Sequence, residues 1–129
     1  MTAVEEKKFT PEQADRMLPL VRRIMEDILK AGNEMKTMAR ETMTGDQASR
    51  LEKRIADLKI YLKELEDLGC AYRDWDFRHG MVDFPSELDG DRVWLNWRSD
   101  ESSVTHYYPV DGTPHTRRPL PEITAPPDR

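Results

Sequence analysis

Apolar residues recur in the first half of the chain in steps of four and three. Met17, Val21, Ile24, Ile28, Ala31, Met35 and Met38 form one such seam, and Leu51, Ile55, Leu58, Leu62 and Leu65 form a second. Steps of this kind put one stripe on one side of a helix and predict a heptad-like pair. Leu20, Met25 and Leu29 widen the first stripe. The first helix has a clear start. Thr10 can cap it, Pro11 fits its first position, and Gln13 completes a capping box, with Phe9 placed for a hydrophobic staple. Its end is expected near Thr42, because Thr44, Gly45 and Asp46 read as a turn. The second helix is expected from about Gln47, capped by Asp46, with Gly69 as its C-cap.

Pro19 has no amide donor and crowds the preceding turn. It leaves two readings: a kinked continuous helix, or a short helix followed by a new one. Leu18 is a poor N-cap, which favours the kink. The tight connection predicts an antiparallel αα-hairpin over 9–69. The turns before Pro19 then overhang the hairpin and can cover the β-rich part of the chain. Leu20, Met25, Leu29, Ile60 and Tyr61 are left for another surface, which predicts a homo-oligomer formed through the hairpin.

After Gly69 the period changes. Seven of the nine prolines, all three tryptophans and all three histidines lie there. Strands are expected over 70–77, 93–98 and 103–110, with turns at His79-Gly80 and Asp89-Gly90-Asp91. A four-residue loop over 99–102 would pair Trp97 with Val104 and Leu95 with His106. Trp97, Val104, His106 and Tyr108 would then share a face, and a one-residue change would reverse the second strand. The fold class is therefore α+β, a long coiled-coil-like hairpin followed by a small antiparallel sheet region over 70–121. Residues 1–8 are expected to be flexible and 122–129, with Pro126-Pro127, disordered.

Composition sharpens this picture. Hydrophobic residues make up 37% and charged residues 35%, which suits solvated helices with narrow seams better than a large core. Helix two carries mixed charges on its outer faces, as a solvated surface does. The net charge of −5 argues against nucleic-acid and membrane-surface binding. No apolar run approaches a membrane span, and the N-terminus has no signal-peptide core. Together with the single cysteine, Cys70, these features point to the cytoplasm.

Candidate chemistry is sparse. Cys70, His79, His106 and His115 show no paired ligand spacing, so neither metal nor cofactor is expected. Cys70 reads as a small buried hydrophobe near a helix C-terminus, where the dipole disfavours a thiolate. Helix methionines read as core or dimer packing. No catalytic residue is assigned. Asp83, Arg98, Glu101, Asp111, Arg117 and Arg118 lie among Trp94, Trp97, Tyr107 and Tyr108. Arginine facing carboxylates can orient a polar ligand. The plainer reading, which is favoured, is a structural network in which Arg98 and Arg117 pair with Asp83 or Asp111. Thr116-Arg117-Arg118 is one short basic island, far from a basic face.

Several runs resemble one family. Residues 9–14 (FTPEQA) and 17–21 (MLPLV) resemble the start of the bacterial proteins grouped as domain of unknown function 2203. Residues 80–85 (GMVDFP), 93–98 (VWLNWR) followed by Glu101, and 117–120 (RRPL) resemble its later motifs. The resemblance runs from Phe9 to about Leu120. It implies a helical hairpin with an appended β-rich region and supplies no activity. Asp83, Trp97, Arg98, Glu101, Asp111 and Arg117 match its pattern and are the candidate ligand-binding residues. The pattern carries Cys at Asn96, His at Tyr108 and Gly at Thr113. Those departures argue against metal ligation here. The expected role is a self-associating interaction module that presents its β-rich surface to a protein partner. The alternative is a small-ligand or enzyme site in a pocket where Asp83, Arg98 and Arg117 converge beside Trp97.

Overall fold

A computed structural model describes residues 8–41 and 44–121. Residues 1–7 and 122–129 lie outside the described residues, and so do the expectations placed on them. Lys8 is the one described member of the N-terminal stretch, and it pairs with Glu87 at 2.7 Å.

Two helices, α1 (Pro11–Ala39) and α2 (Gly45–Leu68), form the hairpin. α1 starts on Thr10 as expected, with Thr10 and Gln13 closing both halves of a capping box. It runs unbroken through Pro19, so the two-helix reading of that segment falls away. It ends at Ala39, short of Thr42. α2 begins two residues before the expected Gln47. Its cap is Thr44, not Asp46, because Thr44 and Gln47 repeat the capping box of α1. Asp46 sits in the first turn, where a negative charge suits the helix dipole. Gly69 closes the helix in the left-handed region, at φ 96°.

Five strands follow: β1 (Ala71–Tyr72), β2 (Met81–Leu88), β3 (Asp91–Arg98), β4 (His106–Pro109) and β5 (Arg118–Pro119). They form an antiparallel sheet in chain order. The expected strand over 70–77 stops at Tyr72. Asp74 captures the backbone N–H groups of Asp76, Arg78, His79 and Gly80 and curls the chain into a loop. β2 was not among the expected strands. It turns into β3 through Asp89 and Gly90, both with positive φ, the geometry of a two-residue hairpin.

The β3–β4 register differs by one residue from expectation. Leu95 faces Tyr107 and Asn96 faces His106. The connection is longer than four residues because loop groups are held elsewhere. Trp97 Nε1 donates to Glu101 O (2.9 Å), and the Val104 N–H donates to Asp15 Oδ1 (2.7 Å). The slip moves His106 and Tyr108 off the face of Trp97 and onto that of Asn96.

Val82, Phe84, Leu95 and Trp97 share a core with Ala14, Leu18, Val21, Ile28 and Leu65. The first turns of α1 do cover the sheet. The Phe9 N–H donates to Pro85 O, Ser86 Oγ to Phe9 O, and the Phe9 ring meets Phe84 edge-on. Sheet contact also changes which residues remain free. Met25 is buried, its sulfur lying so close to Gly80 that a Cβ there would come within 2.1 Å. Leu29 and Tyr61 pack against the core. Of the five residues expected on a free flank, only Leu20 and Ile60 are exposed.

Candidate functional site

Alternation along β2 and β3 places Asp83 and Asn96 side by side, on the face opposite Val82 and Trp97. Both are fully buried. Asp83 Oδ1 accepts from Asn96 Nδ2 (2.7 Å). Its Oδ2 accepts from Arg73 Nε (2.7 Å) and from the Tyr108 hydroxyl. Arg73 also lies over the Trp94 ring, 5.0 Å from its centroid. Burial pushes the Asp83 carboxyl up, against the opposing pull of these three donors. Burial and the adjacent Asp83 carboxylate push the Tyr108 hydroxyl up as well.

Asn96 links this pair to a second one. Its Oδ1 accepts from Arg117 Nη1 (3.2 Å). Arg117 holds Glu101 in a two-pronged bond, at 3.0 and 2.8 Å. The Arg98 N–H also donates to Glu101 (2.9 Å). Burial would raise the Glu101 carboxyl, but Arg117 and that backbone donor hold it below its ordinary range. His106 Nδ1 stands 3.5 Å from Glu101 Oε2. Burial, with Arg117 and Arg98 nearby, holds its imidazole below its ordinary value despite Glu101. A continuous polar path thus runs Arg73–Asp83–Asn96–Arg117–Glu101–His106.

Three of the six candidate residues meet on this path: Asp83, Glu101 and Arg117. The other three do not. Trp97 lies on the opposite face, in the core, and Arg22 stacks on its ring at 5.0 Å. Arg98 turns outward to Asp100 (2.8 Å). Asp111 is exposed, at the rim of a groove of about 630 Å³ that Arg118, Tyr107 and Val93 also line. The expected convergence of Asp83, Arg98 and Arg117 beside Trp97 is therefore absent. The expected ion pairs also differ: Arg73 takes Asp83, and Arg117 takes Glu101. The Arg117-Arg118 island is split, with Arg117 turned inward and Arg118 exposed.

Arg73, Asn96, His106 and Tyr108 are not among the candidate ligand-binding residues that the sequence pointed to. The correct β3–β4 register would have put Asn96, His106 and Tyr108 on one face. Arg73 belonged to a stretch read as extended strand, and only the Asp74 loop explains its position. Among the described residues, no three His, Cys, Asp or Glu side chains gather as a cation site. Cys70 is buried.

A family model described as an uncharacterized conserved protein, DUF2203, matches residues 7–120. The chain belongs to that family. The match takes in both helices and all five strands, so the polar path is built wholly within the DUF2203 region. No curated protein and no solved structure matches the chain. Among the described residues of this DUF2203 chain, no helix is long and apolar enough to cross a membrane.

Proposed function

We propose that the chain is a non-catalytic, self-associating module whose helical hairpins pack in pairs as a four-helix bundle, leaving the sheet for a further protein partner. The burial of the hairpin carries this reading. Buried residues of α1 end at Gly32, and those of α2 begin at Leu58. None of the described residues between 33 and 57 is buried, although Met35, Met38, Leu51 and Ile55 continue both seams there. A lone pair of helices shields each seam on one side only, and a second pair supplies the missing layer. The polar path supports a structural role for the sheet. Both oxygens of Asp83, both of Glu101 and both ends of the Asn96 amide are taken by partners within the chain.

Light scattering over a wide concentration range tests the proposal. The mass should rise from that of one chain, 15.1 kDa, towards twice that value. A mass that stays at one chain throughout overturns it.

One observation favours a second reading, an anion-binding site. Asn96 holds Arg117 within one residue of the Asp83 pair, so cations and acids do gather. An anion would have to displace Glu101 from Arg117. Titration with inorganic phosphate should then shift the Arg117 side-chain NMR signals, and unchanged signals remove the reading.

A further inference from the structure

The sheet reaches further than the helices that cover it. Val93 and Tyr107 lie on the same face as Leu95 and Trp97. Leu95 and Trp97 share the core with α1. Val93 and Tyr107 line the groove of about 630 Å³, together with Leu88, Pro109 and Val110. No residue of α1 or α2 lines that groove. Val110 is 45% exposed there. An apolar stretch of sheet therefore lacks the second layer that covers the rest of this face. Pro121 forms part of the groove wall.

Chain connectivity says what fits. Residues 122–129 (EITAPPDR) follow directly from Pro121 in the groove wall. Ile123 is two residues on, within about 7 Å of Pro121 even on a fully extended chain. A tether this short holds it at an effective concentration of about millimolar, far above that of a second copy in dilute solution. Residues 123–127 carry no charge, and Pro126 and Pro127 have no amide donor for burial to strand. A segment without a core of its own can order on a surface that it binds. It also lies outside the family match, which ends at residue 120. We propose that residues 122–129 fold back over the groove as a strap, with the Ile123 side chain seated against Val93, Tyr107 and Val110. A partner that uses this part of the sheet must displace the strap. The strap is independent of self-association through the hairpin.

NMR on the isotopically labelled full chain tests it. Nuclear Overhauser contacts should join the Ile123 methyl groups to the Tyr107 ring and the Val93 methyl groups. Ile123→Asp should erase them and shift the amide signals of Val93, Tyr107 and Val110. Ile123→Leu, which keeps an apolar side chain, should retain contacts to both residues. A mixture of labelled and unlabelled chains shows which copy supplies the strap, and contacts between copies overturn the proposal. Contacts to the groove from Val4 in place of Ile123 overturn it too, because the occupant is then the segment before Lys8. An Ile123 without contacts, or groove signals that do not move in Ile123→Asp, also overturn it. Each of these results leaves the mass measurement, and with it the self-association reading, to be decided separately.

Discussion

Asp83 lies within the sheet, on β2 between Ala71 of β1 and Asn96 of β3. It is fully buried, yet it holds Arg73, Asn96 and Tyr108 at once. Removing one partner of a buried pair costs about 3–5 kcal/mol, because the other charge is stranded. The Arg73 side chain keeps 36% of its exposure, so water can rescue it in part. Burial also disfavours the charged carboxyl itself, so Asp83→Asn should lose less than that range in urea unfolding, about 1–3 kcal/mol, the cost of the donors left without an acceptor. Tyr108→Phe should lose about 1.5–3 kcal/mol, the usual worth of a hydrogen bond to a charged group. The two losses should not add, since both remove the same contact. Gly32 sets a different constraint. A Cβ there would lie 2.2 Å from Phe77 Cδ1. Replacing glycine by alanine in a helix gains about 1 kcal/mol, but overpacking a core costs about 1–3 kcal/mol. Because Phe77 is itself buried and wedged by its positive φ, the clash should win. Gly32→Ala should unfold at a lower temperature than the unaltered chain.

Elements show how far the pattern of residues could be followed. Both helices were legible because burial on one stripe leaves a period, and the Thr-x-x-Gln cap at residue 10 marks a start. The same cap at Thr44 was overshadowed by Asp46, which carries a capping side chain and a first-turn charge alike. The sheet was harder. Along β2, Val82, Asp83 and Phe84 are all buried, so the alternation that announces a half-exposed strand is missing. The β3–β4 register depended on the path of loop 99–105, which is set by Asp15 and Arg22 on α1, over seventy residues away. No local signal encodes that, and the places of Asn96 and His106 on the polar path became invisible with it. The loop after β1 has a similar logic and can be tested. The Asp74 carboxyl is held below its ordinary range, because four backbone donors outweigh its burial. In Asp74→Ala, the amides of Arg78, His79 and Gly80 lose their acceptor. Their hydrogen exchange should accelerate well before that of β3, whose amides pair within the sheet.

Acid should act on the whole molecule through these same groups. Asp74, Glu101 and His106 all titrate lower in the folded chain than when unfolded. For a group lowered by folding, the unfolded chain binds the proton first, so its stabilisation is full above the unfolded value and fades as pH falls. Stability should thus decline below about pH 6.5 as unfolded histidine charges, and again below about 4.5 as the carboxylates do. Asp83 opposes this. Burial raises its carboxyl, so protonation favours the folded chain as pH falls through that raised value. Its protonation should blunt the decline in acid. Two variants separate the contributions in urea titrations at stepped pH. His106→Gln should flatten the curve between pH 7 and 5. Asp83→Asn, beyond its loss at neutral pH, should make the acid decline steeper. A curve that keeps its shape in both variants would show that His106 and Asp83 do not set the response to acid.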